Sequence, residues 1–338
     1  MTIGIVGAGQ LGRMLVLAGR PLGLQFRLLD PAADACAGEV AGQIIAPYDD
    51  PAALGQLAAQ CEIVTFEFEN VPAQAVARLS QDRPVYPSAD ALEVAQDRFN
   101  EKTLFGRLGI ATPRFAAVNT EAELRTAVEA IGLPAVLKTR RLGYDGKGQF
   151  VLREQADIEK ACWELGDADL ILEAFVPFER EVSLVASRRR NGETVFYPLT
   201  ENTHRNGILH LSIPRADDPL QAEAEAQVGR LLEELDYVGT LAFEFFVHQG
   251  RLLGNEIAPR VHNSGHWTIE GAVTSQFENH LRAILDWPLG LPHMLCPAAM
   301  LNFVGELPPA EAVLAIPGAR FHDYGKAPRA GRKVGHAT

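Results

Sequence analysis

Pro134-Ala-Val-Leu-Lys138-Thr-Arg-Arg-Leu-Gly143-Tyr144-Asp145-Gly146-Lys147-Gly148-Gln149 is the stretch that decides how this chain reads. A short apolar strand ends on a lysine, and a glycine-rich loop follows at once. Three glycines within six positions let backbone N–H groups come close to phosphate oxygens. Lys138 at the strand end and Lys147 in the loop are both placed to reach a triphosphate. At ~4 Å and an effective dielectric of ~20, each lysine–phosphate contact has a gross attraction of roughly 4 kcal/mol. The plainer reading, a surface hairpin with a solvated lysine, leaves Lys138 interrupting a buried strand.

C-terminal to the loop, Leu170-Ile-Leu-Glu173-Ala174-Phe175-Val176 is a second apolar strand whose end can offer backbone groups to an adenine edge. Glu181 follows, placed to accept hydrogen bonds from ribose hydroxyls or simply to lie at the surface. Val182–Ser187 and Thr194–Pro198 read as antiparallel strands around Asn191-Gly192, and Leu220–Leu235 as an amphipathic helix. A hairpin spans Leu241–Ile257 and carries Glu244 and Glu256 inside hydrophobic strands, where an unpaired charge is costly. An odd-numbered loop centred on Gly250 sets the two glutamates opposite each other on one face; a two-residue loop sends Glu256 to the other face. At ~5 Å two carboxylates repel by roughly 3 kcal/mol at a dielectric of ~20, so a cation is expected between them. Oxygen ligands beside a triphosphate call for magnesium, with Asn255 as a further oxygen donor; two salt-bridged structural glutamates are the alternative.

N-terminal to the loop, Ile3–Val6, Phe26–Leu29 and Glu62–Phe66 read as buried strands, with helices at Leu11–Gly19 and Pro51–Gln60 between them. That rhythm predicts a parallel sheet covered on both faces. Gly7-Ala-Gly9-Gln10-Leu11-Gly12 follows the first strand, and Asp30 ends the next, 18 residues on. This is the dinucleotide fingerprint in its expected context, and alone it favours an NAD-dependent oxidoreductase. The rest of the chain supplies no hydride-transfer site, so the motif marks only an anion-friendly first strand. A helix near Asp97–Gly109, the helix Glu121–Ile131, Val151–Leu152 and the helix Ala156–Leu165 complete a small α+β unit. The expected division is 1–98, a Rossmann-like parallel-sheet domain; 99–182, a small α+β lid; and 183–338, a mixed α+β domain. The last ends in a Pro- and Gly-rich tail with a basic cluster at Lys326–Lys333.

Composition narrows the class. The 338 residues are 47% hydrophobic and 22% charged, enough for a sizeable core. A formal charge of −12 argues against a general nucleic-acid binder. Cys36, Cys61, Cys162 and Cys296 show no C-x-x-C spacing, which points away from zinc or a disulfide framework and towards a reducing cytosol. The opening Met1–Val6 already reads as strand, so no signal peptide is expected, and no apolar run approaches the ~20 residues of a spanning helix. A cytoplasmic protein is the expectation.

The chain resembles the ATP-grasp superfamily, and within it most closely the N5-carboxyaminoimidazole ribonucleotide synthetase family. The resemblance rests on residues 7–14 (GAGQLGRM), 65–71 (TFEFENV), 96–102 (QDRFNEK), 143–149 (GYDGKGQ), 255–266 (NEIAPRVHNSGH), and Tyr324-Gly-Lys with Gly331–His336. It implies an α/β ATP-grasp fold and an ATP- and bicarbonate-dependent ligase of purine biosynthesis that carboxylates aminoimidazole ribonucleotide through carboxyphosphate. It implies ATP bound by Arg98, Lys138, the loop Gly143, Tyr144, Asp145, Gly146, Lys147, Gly148 and Gln149, the segment Glu173, Ala174, Phe175 and Val176, and by Glu181, His204, Asn255 and Glu256. Glu244 and Glu256 would hold Mg2+. Asp145, Arg260, His262 and Lys326 would be catalytic. Gly9, Gln10, Leu11, Glu67, Glu69, Tyr144, Arg332 and Lys333 would surround the substrate. A homodimer that passes its product to a separate mutase is also implied. Two departures stand out: family members usually continue beyond the Gly-Arg-Lys-x-Gly-His stretch, which leaves the packing of the C-terminal unit open, and Lys147 replaces a frequent arginine. Rival readings are a sibling ATP-grasp enzyme, the NAD oxidoreductase, and a nucleotide-sensing module without turnover.

Overall fold

The computed structural model describes residues 1–143, 146–166 and 168–338. Strands β1 (Thr2–Val6), β2 (Gln25–Asp30), β3 (Gly42–Ile45) and β4 (Ile63–Phe66) form a parallel sheet in the order β3-β2-β1-β4. Its central strands are apolar on both sides, because helices cover both faces. The helix Gln10–Gly19 packs Leu15 on Ile3, Ile5 and Phe26; the helix Pro51–Gln60 packs Leu54 and Leu57 on Val64 from the other side. The second helix starts where the chemistry sets it: the Asp50 side chain accepts from the Ala53 N–H at 2.8 Å, and Pro51 needs no donor in the first turn.

The second unit has strands β5 (Phe115–Val118), β6 (Ala135–Thr139), β7 (Gln149–Leu152) and β8 (Leu170–Ala174), antiparallel in the order β5-β8-β6-β7. The helices Glu121–Ile131 and Asp157–Leu165 close its core around Leu124, Val128, Leu137 and Leu172. The glycine-rich loop joins β6 to β7. Tyr144 and Asp145, both predicted site residues, lie outside the described residues.

The third unit is built on β9 (Arg180–Arg188), β10 (Thr194–Phe196), β11 (Thr200–Arg205), β12 (Ile208–Pro214), β13 (Gly239–His248), β14 (Arg251–Ala258), β15 (Met300–Val304), β16 (Phe321–Asp323) and β17 (Lys333–Ala337). These nine strands, among the described residues, run β14-β13-β9-β11-β12-β15-β17-β16, with β10 paired to β9. The helices Arg98–Arg107 and Gln221–Glu234 bury one face, where the Phe105 and Phe243 rings sit 4.6 Å apart. The helix Arg98–Arg107 thus precedes the lid in sequence but packs with the large sheet. The tail adds strands: β17 pairs with both β15 and β16, and Val334 and His336 are fully buried.

The hairpin of β13 and β14 resolves the register question. Its loop is the two-residue turn Gln249-Gly250, both at positive φ, as a type I′ connection requires. Such a loop alone would face Glu244 with Asn255. A β-bulge takes up Asn255 as an extra residue, and Glu244 pairs with Glu256.

Candidate active site

Glu244 and Glu256 lie side by side on the large sheet, and the second unit reaches them through Lys138. Arg98 donates to Glu256, and Lys138 lies near enough to act on it. Burial pushes against the ionised Glu256, yet the Arg98 and Lys138 charges outweigh it and lower its pKa. Glu244 is raised, first by burial and then by the neighbouring Glu256. Its oxygen lies 3.2 Å from His262 Nε2. Lys138 donates to Glu173 at 2.8 Å; burial opposes the charge on Glu173, but Lys138 and Lys102 hold it down at about 2.

The helix Arg98–Arg107 supplies two groups absent from the sequence-based set. Lys102, with no exposed surface, donates to the Asn255 carbonyl at 3.0 Å and lies 3.5 Å from Glu173; burial lowers its pKa. Glu101 accepts the Ile257 N–H at 2.7 Å, and burial and the Glu256 charge raise it. Their signal was present: Arg98, Glu101 and Lys102 are spaced i, i+3, i+4 and share a helix face. The helix is fixed by Asp97, which accepts from Phe99 N–H at 3.0 Å and is gripped by Arg140 at 2.7 and 3.0 Å. Lys102's bond to Asn255 shows what the bulge does besides setting register: it turns a carbonyl out of the ladder towards a buried cation.

Further along the sheet, His204 on β11 meets Glu181 on β9, and that hydrogen bond raises the His204 pKa although burial opposes it. His204, Glu181 and Lys333 all act electrostatically on Glu244, so these predicted residues gather around one point. Gly143 approaches Arg98, since a Cβ there would stand 3.6 Å from its Nη2. Gly146, at φ +76°, lies against the β11–β12 turn, where an added Cβ would meet the Gly207 Cα at 3.1 Å. Gly148 sits on Thr139, Lys147 is exposed in the same loop, and Gln149 opens β7. Glu173 and Ala174 end β8, and Phe175 and Val176 continue from it, with the Phe175 N–H on the Pro134 carbonyl at 3.2 Å.

The N-terminal unit reaches this centre through Glu69, which pairs with Arg260; the arginine charge lowers the carboxylate against the effect of burial. Gln10 contacts Lys326, whose pKa burial lowers. Lys326 and Arg332 face Cys36 and Gly38 across a cleft of about 540 Å³ beside the C-terminal end of β2. Leu11 is buried in the N-terminal core.

The first glycine motif departs from a dinucleotide site. Glu67 bonds to the N–H of Gly9 and, at 2.6 Å, to that of Gly12, so the protein's own carboxylate fills the anion cradle. A Cβ on Gly7 would stand 2.4 Å from the Glu67 Cγ. Asp30 accepts the Ala8 N–H at 2.9 Å and the Tyr48 hydroxyl at 2.8 Å. A pyrophosphate would meet two carboxylates where the fingerprint needs bare amides.

The donor set suits magnesium. Glu244 and Glu256 are adjacent carboxylates able to offer oxygen ligands, and the Asn255 Oδ1 is buried and accepts no hydrogen bond. Among the described residues no cluster of three or more His, Cys, Asp or Glu side chains forms a self-sufficient metal cage.

Comparison with known proteins agrees with this geometry. Residues 1–96 match the ribonucleotide synthetase preATP-grasp domain, 103–277 the ATP-grasp domain, and 298–338 the phosphoribosylaminoimidazole carboxylase C-terminal domain. The N5-carboxyaminoimidazole ribonucleotide synthase of Pseudomonas aeruginosa is 61% identical over 338 residues, covering 100% of this chain and 94% of that one. That of Bacillus subtilis is 40% identical over 344 residues, covering 99% and 90%. The crystal structure of the Thermus thermophilus synthetase superposes with a TM-score of 0.95 at 55% identity, covering 99% of this chain and 92% of that one. The Aspergillus clavatus enzyme, solved with ADP and 5-aminoimidazole ribonucleotide, gives 0.93 at 33% identity, with 99% and 92% covered. With end-to-end identity at this level and the three domain models in sequence order, the chain belongs to the N5-carboxyaminoimidazole ribonucleotide synthase family of ATP-grasp ligases.

Proposed function

We propose that this protein uses ATP and bicarbonate to carboxylate the exocyclic amine of 5-aminoimidazole ribonucleotide, giving the N5-carbamate. The observation that carries the reading is the meeting of Arg98, Lys138, Glu244 and Glu256, with Arg260 paired to Glu69. The relatives' names, and the nucleotide complexes among their structures, support the same substrates.

Bicarbonate oxygen attacks the γ-phosphorus, breaking its bond to the β-phosphate oxygen and releasing ADP. The resulting carboxyphosphate splits into carbon dioxide and phosphate, and the amine nitrogen adds to the carbon dioxide with loss of one proton. Lys138 and Arg98 offset the charge on the transferring group, where positioning and electrostatics supply nearly all of the catalysis. Glu244 and Glu256 would hold magnesium, which would supply neutralisation of phosphate charge. Arg260 offers paired donors to a planar anion such as bicarbonate, steadied by Glu69. The loop 143–149 shields carboxyphosphate from water, and Asp145 is assigned the proton from the amine. Glu181 and His204 serve the nucleotide; Lys326, Arg332, Lys333 and, from the first turn, Gln10 serve the ribonucleotide, while His262 lies against Glu244.

The protein is further read as a cytoplasmic homodimer whose product goes to a separate mutase. Among the described residues no helix is long and apolar enough to cross a membrane.

The test is a coupled ADP assay with 13C-bicarbonate. ADP should form only with bicarbonate and Mg2+, faster with aminoimidazole ribonucleotide, and the label should appear in a carbamate. Tight NADH binding with no ATP turnover would remove the reading.

A further inference from the structure

Behind Glu244 runs a chain of buried hydrogen bonds that the reaction does not itself require. His262 Nδ1 lies 2.8 Å from the Ser264 hydroxyl and 3.3 Å from the Ser264 backbone N–H. Ser264 Oγ is 2.7 Å from Ser183 Oγ, which is 2.9 Å from Asn202 Nδ2; Asn202 Oδ1 is 2.8 Å from Ser212 Oγ. Ser183, Ser264 and Ser212 have no exposed surface, so water does not supply missing partners.

The direction of this chain follows from proton counting. A backbone N–H only donates, so the Ser264 N–H, at a long 3.3 Å, favours Nδ1 of His262 as an acceptor without a proton. The Ser264 hydroxyl therefore donates its one proton to Nδ1. Its oxygen must then accept from Ser183, and Ser183 in turn from the Asn202 amide. Four elements, the loop after β14 and the strands β9, β11 and β12, agree on that one orientation, and the short hydroxyl bond to Nδ1 outweighs the longer backbone contact. The ring proton sits on Nε2, 3.2 Å from Glu244.

We propose that Asn202, Ser183 and Ser264 are positioning residues that lock His262 as the Nε2–H tautomer, so that it donates to Glu244 and orients that carboxylate. The functional side rests on Glu244 as the metal ligand proposed above; the tautomer itself does not. Outer-shell partners of this kind typically change metal affinity or activity about 10- to 100-fold.

Asn202→Asp reverses the relay without altering its shape. The introduced carboxylate accepts from Ser183, Ser183 then accepts from Ser264, and Ser264 accepts from His262, so the ring proton moves to Nδ1. The probe is 15N NMR of the intact protein labelled at its nine histidines, with His262 assigned from the His262→Gln spectrum. Wild type should show an imine-type Nδ1 and a pyrrole-type Nε2, and Asn202→Asp the exchanged pattern with a ~10- to 100-fold loss of activity. Adding Ser183→Ala should stop the exchange. Ser264→Ala should give a mixture of tautomers, and Ser264→Thr the wild-type pattern. Should Asn202→Asp fail to fold, the wild-type and Ser264 spectra still decide. A pyrrole-type Nδ1 in wild type, or lost activity with an unchanged ring pattern in Asn202→Asp, overturns the proposal. These spectra need no nucleotide, so their failure is distinct from a failure of the ADP assay.

Discussion

Glu173 carries the balance of charge beneath the nucleotide segment. It faces two ammonium groups, Lys138 at 2.8 Å and Lys102 at 3.5 Å, and Lys102 is wholly enclosed. Removing one partner of a buried pair costs about 3–5 kcal/mol, because the remaining charge stays desolvated. Glu173→Gln should therefore lower unfolding free energy in urea by that order, while the exposed pair Arg107–Glu234 should lose at most about 1 kcal/mol when cut. Equal effects at the two sites would mean that Lys102 finds another partner. The pH dependence has a definite sign: Glu173 is depressed from 4.5 to about 2, so its stabilisation is complete above 4.5 and fades as pH falls towards 2. Glu173→Gln should flatten that part of the acid-denaturation curve.

At the scale of elements, the loop 143–149 and the β13–β14 hairpin do most to shape the site. Gly146 combines a left-handed φ with close backbone contact to Gly207, so Gly146→Ala strains the loop and pushes it off the β11–β12 turn. The expected outcome is a KM for ATP raised several-fold with the melting temperature nearly unchanged, since the loop buries little. A lowered melting temperature with unchanged KM would contradict this. The same two elements show where sequence is legible. The helices Pro51–Gln60 and Glu121–Ile131 could be placed to the residue because Asp50 and Thr120 cap them. β3 was missed because its residues are only half-buried at a sheet edge and lack alternation, and the β11–β12 hairpin because Thr200–Arg205 is almost wholly polar. The site's residue types were readable, but the bulge at Asn255 was not: it depends on Lys102 and on β9 pairing, contacts remote in sequence. Likewise the first glycine motif could not reveal that Glu67, 55 residues beyond Gly12, would fill it.

Across the whole molecule, the first unit is fastened to the large sheet by His280, which lies 2.8 Å from Thr65 Oγ1 on β4 and accepts the Thr240 N–H of β13 at 3.0 Å. Burial depresses its pKa from 6.5 to about 3. Its neutral ring stabilises the fold fully above 6.5, and that contribution is lost as pH falls from there towards 3. The stability gap between wild type and His280→Gln should narrow by roughly 1.4 kcal/mol per pH unit below 6.5, read by urea unfolding at pH 7.5 and 5.5. A constant gap would show that the ring is not held neutral. The three sheets together bring one lysine from the second unit and two carboxylates from the hairpin to one place. Calorimetry with a non-hydrolysable ATP analogue, with and without Mg2+, tests that claim most directly. Wild type should bind more tightly when Mg2+ is added, Glu244→Gln and Glu256→Gln should lose that gain, and Lys138→Met should bind about tenfold or more weakly, a loss of about 1.4 kcal/mol. Binding by all three variants that matches wild type, with the Mg2+ effect intact, would contradict a shared triphosphate site.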